Sequence, residues 1–113
     1  MPADQPSHVV TLRVERRHAP FLREVFETDR AGRLDDLAHR RDRLRDPDDT
    51  QARAETSKRI VAGIDRGEIV ADPEVSALLV EVAEAGDKEN EYERVLGEHE
   101  AFGHLLRQLA RQR

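Results

Sequence analysis

The stretch EHEAFGH, residues 98 to 104, is where this 113-residue chain first looks capable of chemistry. Glu100 and His104 stand four apart, so on a helix they lie one turn from each other, a spacing at which a carboxylate and an imidazole can share a metal ion. Asp35 and His39, in RLDDLAHR, repeat that spacing. These four are the candidate metal ligands. A metal site inside a helical bundle needs its carboxylates and histidines to project inward from facing helices. The apolar stripe of the last helix reads Tyr92, Val95, Leu96, His99, Phe102, Leu106 and Leu109, close to a heptad seam. Measured from the centre of that stripe, at about 100° per residue, Glu100 falls roughly 120° away and His104 roughly 160° away. Asp35 and His39 likewise lie opposite the stripe of Leu34, Leu37 and Leu44. Both pairs are therefore expected on the solvent side, as surface charges or as ligands shared between subunits.

His99 differs, because it sits on the stripe itself. It is expected to be partly buried, either as a hydrogen-bonded structural histidine or as a contact whose charge changes near neutral pH.

Other chemistry is poorly represented. The chain has no cysteine, hence no disulfide, thiolate ligand or thiol nucleophile. Ser7, Ser57 and Ser76 lack flanking glycines or any helpful motif; Ser7 and Ser57 read as capping or polar-face residues and Ser76 as a first-turn residue. No glycine-rich phosphate loop is present. The sequence thus points away from catalysis and calls for no cofactor. Arg40, Arg41, Arg43 and Arg45 suggest nucleic-acid binding, but Asp42 and Asp46 interleave with them and no aromatic residue accompanies them for base stacking. A helix-turn-helix within 50 to 85 would offer PEVSALLVEVAEAG as its recognition helix, which carries no basic or amide side chain.

The elements that would position these residues are mostly helical. Leu, Ile, Val and Phe make up 27 residues, above the roughly one-fifth below which disorder is expected. With 38% charged residues and four aromatics the core must be thin, and burial against a second copy would help. Net charge is -5, concentrated in residues 71 to 100, where ten acids face two bases. That segment would repel nucleic acid and could attract a basic protein partner. Seventeen arginines against two lysines reflect a GC-rich genome. The N-terminus resembles no signal peptide and no apolar run is long enough to span a membrane, which leads to the expectation of a cytoplasmic protein.

Along the chain, residues 1 to 6 are expected as a disordered tail and 7 to 113 as a single helical domain. Residues 9 to 14 alternate like a strand through Val10, Leu12 and Val14, yet Val10, Val14, Phe21 and Val25 share a helical face, and a helix capped by Ser7 is the expectation. Pro20 either kinks it or opens a second helix near Ala19. The stripes on either side of Gly32 are about 120° out of phase, which predicts a break or bend there. A helix from about Thr50 to Arg66 buries Ile60, Val61 and Ile64 and ends at Gly67. An extended link through Ile69 and Val70 leads to Asp72 as N-cap and Pro73 as first helical residue. Val75, Leu78, Leu79, Val82 and Ala83 then form the face of a central helix, with Val80 on another side, and Gly86 is expected to break it from the last helix.

The sequence therefore predicts an all-α fold, an irregular antiparallel bundle of four or five short helices with a C-terminal helical hairpin. Its expected function is a non-enzymatic helical protein-protein interaction module, a homodimer with Tyr92, Val95, His99, Phe102, Leu106 and Leu109 as interface or core. A small metal-binding bundle and a nucleic-acid-binding regulator are the competing readings.

Overall fold

The computed structural model describes residues 9–89 and 100–112, with only the backbone given for 85–89. The chain is mostly helical, as expected, but a small antiparallel sheet makes it other than purely α. The elements are β1 (Val10–Arg13), α1 (Ala19–His39), a short 3₁₀ turn (Arg41–Arg43), α2 (Pro47–Arg66), β2 (Glu68–Ala71), α3 (Pro73–Glu89) and α4 (Glu100–Arg111).

The expected helix over residues 9 to 14 is instead strand β1, paired with β2 in the register Val10↔Ala71, Leu12↔Ile69. Local alternation won because it had a partner: Leu12, Val14, Ile69 and Ala71 all turn inward and are buried. A lone two-stranded ribbon is marginal in water, so this one depends on what it rests on. Gln108 of α4 binds it directly, its Oε1 accepting from the Arg13 N–H (2.8 Å) and its Nε2 donating to the Arg13 carbonyl (2.9 Å). One side-chain amide thereby occupies both backbone groups that Arg13 turns away from β2, and protects that stretch of edge.

Pro20 opens α1 rather than interrupting it, and the helix then continues through Gly32 without a break. The predicted break is absent because the two halves of α1 cover different things. Leu22 and Phe26 are fully buried in the core, whereas Leu34 and Leu37 are only half-buried and lie beyond it. A change of stripe is a change of neighbour here, not a change of backbone. Nothing lies within 4 Å of a Cβ built on Gly32. Gly32→Ala should therefore raise stability by about 1 kcal/mol, the helix-propensity difference, readable as a shift in the urea midpoint.

Helix α2 starts earlier than expected, at Pro47, where the Asp46 carboxylate accepts from the Asp49 N–H (3.1 Å). It ends at Gly67 in the left-handed conformation (φ 90°), as the sequence predicts. Ile60 and Ile64 are buried and Val61 packs against the core. Asp72 caps α3 through the Val75 N–H (2.8 Å), with Pro73 first in the helix. Burial pushes the Asp72 carboxyl up, but the Val75 N–H bond and the Arg59 guanidinium outweigh it and hold its pKa below the usual value. Val75, Leu78, Leu79, Val82 and Ala83 are buried together, and Val80 is half-buried. The α3 backbone continues through Gly86 to Glu89, so the expected break at Gly86 does not occur. The connection to α4, with Tyr92, Val95, Leu96, Gly97 and His99, lies outside the described residues, as do residues 1–8 with Ser7 and the expected tail.

Within α4, Ala101, Phe102, Leu105 and Leu109 are buried, and Leu106 is only half-covered. Phe102 meets Phe21 edge-on (centroids 6.2 Å) and Phe26 at a tilt (5.9 Å), joining α4 to α1.

Candidate functional site

The tertiary fold gathers chemistry-bearing side chains where the β1–α1 turn meets the first turn of α4. Residues 15 to 18 form a tight turn in which the His18 N–H donates to the Glu15 carbonyl (2.9 Å). His18 then stands at the N-cap of α1 without using its side chain as a cap. Its ring is 5% exposed, and neither Nδ1 nor Nε2 has a hydrogen-bond partner. From α4, Glu100 approaches to 3.8 Å (Oε1 to His18 Nε2), and His104 stacks edge-on to His18 at 5.8 Å between ring centroids. His104 Nε2 in turn lies 3.6 Å from Glu15 Oε2. Over the solvent side Arg17 bridges both carboxylates, Nε to Glu15 (2.8 Å) and Nη2 to Glu100 (2.9 Å). The bond from Arg17 holds the Glu15 carboxyl below its usual pKa, against a smaller desolvation effect in the opposite direction.

This placement corrects the expectation for His104. Glu100 does face outward, 59% exposed, but His104 is only 27% exposed and packs between α4 and the 15–18 turn. The buried stripe of α4 includes Ala101 and Leu105, which the heptad pattern omitted, and this turns the centre of the stripe by about 90° at 100° per residue. His104 moves from the back of the helix to its flank. Glu15, Arg17 and His18 were missed as a cluster because ERRH, residues 15 to 18, reads locally only as a short basic stretch of the kind that suggests nucleic-acid binding; the approach of α4, more than eighty residues later, is what joins those residues to Glu100 and His104.

Asp35 and His39 behave as the sequence predicts. They pair with each other (3.2 Å) at 56% and 70% exposure, and among the described residues they belong to no metal-binding group of three. Among the described residues no three His, Cys, Asp or Glu side chains are gathered closely enough to hold a metal ion as they stand.

A second polar cluster joins α1, α2 and α3. Ser57, expected as a polar-face residue, is fully buried and donates from Oγ to Asp29 Oδ2 (2.6 Å). Asp29 also accepts from Arg33 Nε (3.0 Å), Arg33 donates to Glu81 (3.0 Å), and Glu81 accepts from Arg53. Burial pushes the Arg33 pKa down, yet its bonds to Asp29 and Glu81 outweigh that and raise it. Among the described residues no histidine enters this network, whose polar groups satisfy one another. The acidic segment is partly neutralised in the same way, since Asp72 and Glu74 bind Arg59 and Glu81 binds Arg33 and Arg53. Of the arginine run, Arg40 is tied to Asp36 (3.1 Å), while Arg41 and Arg43 lie exposed on the 3₁₀ turn. Among the described residues no helix is long and apolar enough to cross a membrane.

Comparison with known proteins gives no match: no family model fits the chain, and neither a curated protein nor a solved structure resembles it significantly.

Proposed function

We propose that this chain is a non-enzymatic helical protein-protein interaction module that self-associates as a homodimer, with the α1–α2 hairpin as the contact. One observation carries this reading: Leu34, Leu37 and Leu44 are each half-buried, and none packs against the hydrophobic core that the described residues form. Beyond Phe26 on α1 and before Ala54 on α2, no side chain is fully buried. Beyond the Arg33–Glu81 bond to α3 the hairpin is therefore an arm, about 9 Å long from Arg33 to His39 at 1.5 Å per residue, whose leucines have no core of described residues behind them. Leucines left this way gain by docking on another surface.

Charge favours a second copy as that surface. Residues 27 to 53 carry eight acids and seven arginines, interleaved along the arm. Two such arms related by a two-fold axis can set acids against arginines in both directions. A polyanion would meet as many repulsive charges as attractive ones. The last helix, favoured by the sequence pattern, is less suited, because Phe102 and Leu109 already lie within the chain's own core.

Sedimentation equilibrium of the wild type and of the Leu34→Arg/Leu37→Arg double variant tests the proposal. The expected result is a dimeric wild type and a monomeric variant with an unchanged helical circular dichroism spectrum, since neither leucine supports the core. A wild type that stays monomeric at every concentration up to its solubility limit, or a double variant that remains dimeric, overturns it.

A further inference from the structure

Independently of self-association, we infer that Glu15, His18, Glu100 and His104 form a binding site for a divalent transition metal of the zinc type, closing the β1–α1 turn onto α4. Three observations converge on it. First, the donor set is two imidazoles and two carboxylates, which suits zinc and its neighbours rather than calcium or magnesium. Second, His18 is almost fully buried with both ring nitrogens unpartnered, in a cluster otherwise made of ion pairs. Buried polar atoms in native proteins are nearly always satisfied, and a metal ion that takes the lone pair of one ring nitrogen would give this orphaned imidazole, which faces Glu100 and His104, one of the two partners it lacks.

Third, the spacings suit a bound ion better than they suit hydrogen bonds. His18 Nε2 to Glu100 Oε1 is 3.8 Å and His104 Nε2 to Glu15 Oε2 is 3.6 Å, both too long for a hydrogen bond. Two ligands about 2.0–2.2 Å from a tetrahedral ion stand roughly 3.4 Å apart, close to both values. The two edges are not yet gathered around one point. What stands in the way is Arg17, which is 64% exposed and occupies both carboxylates from the solvent side. An incoming cation displaces the guanidinium, takes over its charge role and draws the His18–Glu100 and His104–Glu15 edges together. Four protein ligands leave no open coordination position, so the site is structural rather than catalytic. The ion would join segments more than eighty residues apart, in place of an exposed Arg17 bridge of small worth.

The test is calorimetric titration of chelator-treated, full-length protein with Zn²⁺ alone, alongside cobalt substitution followed by visible absorption. One equivalent of zinc per chain is expected, with a rise in melting temperature and a tetrahedral cobalt spectrum. His104→Gln and Glu100→Gln should each weaken binding by more than about tenfold, since loss even of outer-sphere support costs 10–100-fold. Arg17→Ala should tighten it, an effect that a merely structural cluster would not produce. His18→Gln gives the deepest loss if it folds; should it not fold, the exposed Glu100 variant carries the test. Absence of saturable binding in both wild type and Arg17→Ala overturns the proposal, as does zinc binding that His104→Gln and Glu100→Gln leave unchanged.

Discussion

Phe102→Ala should remove about 3–5 kcal/mol of stability, the usual cost of emptying a fully buried aromatic site. Phe102 has no exposed surface and bridges two other aromatics, Phe21 and Phe26, so α1 and α4 share its loss. A domain of this size has only about 5–15 kcal/mol in total, and this one has a thin core. The variant is therefore expected to unfold at a much lower urea concentration, with the helical signal and the tertiary signal lost together. Leu106→Ala, on the same helix but half-covered, is the comparison and should cost clearly less. If the two variants unfold at similar midpoints, α4 is not held by Phe102 and its packing on α1 is misassigned.

Gly63→Ala should be strongly destabilising, although it replaces glycine by the best helix former inside α2. A Cβ at this position would lie 2.7 Å from the Glu68 carbonyl oxygen and 3.1 Å from the Ile69 Cα. Both neighbours are backbone of β2, so neither can swing aside, and the strand must move off the helix. Overpacking costs typically about 1–3 kcal/mol, and a 2.7 Å approach to a backbone oxygen belongs at the upper end of that range, above the roughly 1 kcal/mol that alanine contributes to helix propensity. Because β2 is paired with β1, the displacement reaches Leu12 and Ile69, both buried. Gly32→Ala is the internal control: the same substitution in a helix of the same protein, with empty space at the Cβ, is expected to have the opposite sign. Parallel urea titrations of the two variants decide it, and a Gly63→Ala protein as stable as wild type would mean that α2 and β2 are further apart than the structure has them.

These two glycines mark where local reading stops. Gly32 carries a strong local signal, a change of stripe, yet α1 passes through it undisturbed. Gly63 carries no signal at all, sitting inside a well-formed helical pattern, and it is the position where another backbone comes closest. Glycine in a helix is ambiguous from sequence because its cost is the same whether the space beside it is empty or filled. Gly103 adds a third case: the three atoms nearest its Cβ all belong to the flexible Arg107 side chain rather than to another backbone.

The candidate cluster follows the same division. That Glu100 and His104 could act together was legible from their spacing. That His104 is drawn inward was not, because the seam was centred on Tyr92, Val95, Leu96 and His99 and left out Ala101 and Leu105. A helical projection is only as good as the set of residues that defines its reference. Glu15 and His18, which complete the cluster, sit in a turn with no periodicity to project.

What the sequence determined by itself is what short-range physics decides. The C-terminal end of α2 and the start of α3 follow from Gly67, Asp72 and Pro73, whose effects depend on φ, on a missing N–H and on a carboxylate within three residues of the N–H it caps. The buried face of α3 follows from helical period alone. The tertiary structure decided whatever needs a distant partner: strand rather than helix at Val10–Arg13, which requires Glu68–Ala71; the continuity of α1, which depends on what each half covers; and the meeting of Glu15, Arg17 and His18 with Glu100 and His104. A cap or a period is complete within one turn of chain. A pairing or a cluster exists only once loop closure has brought separate segments together, and no local pattern records which segments those will be.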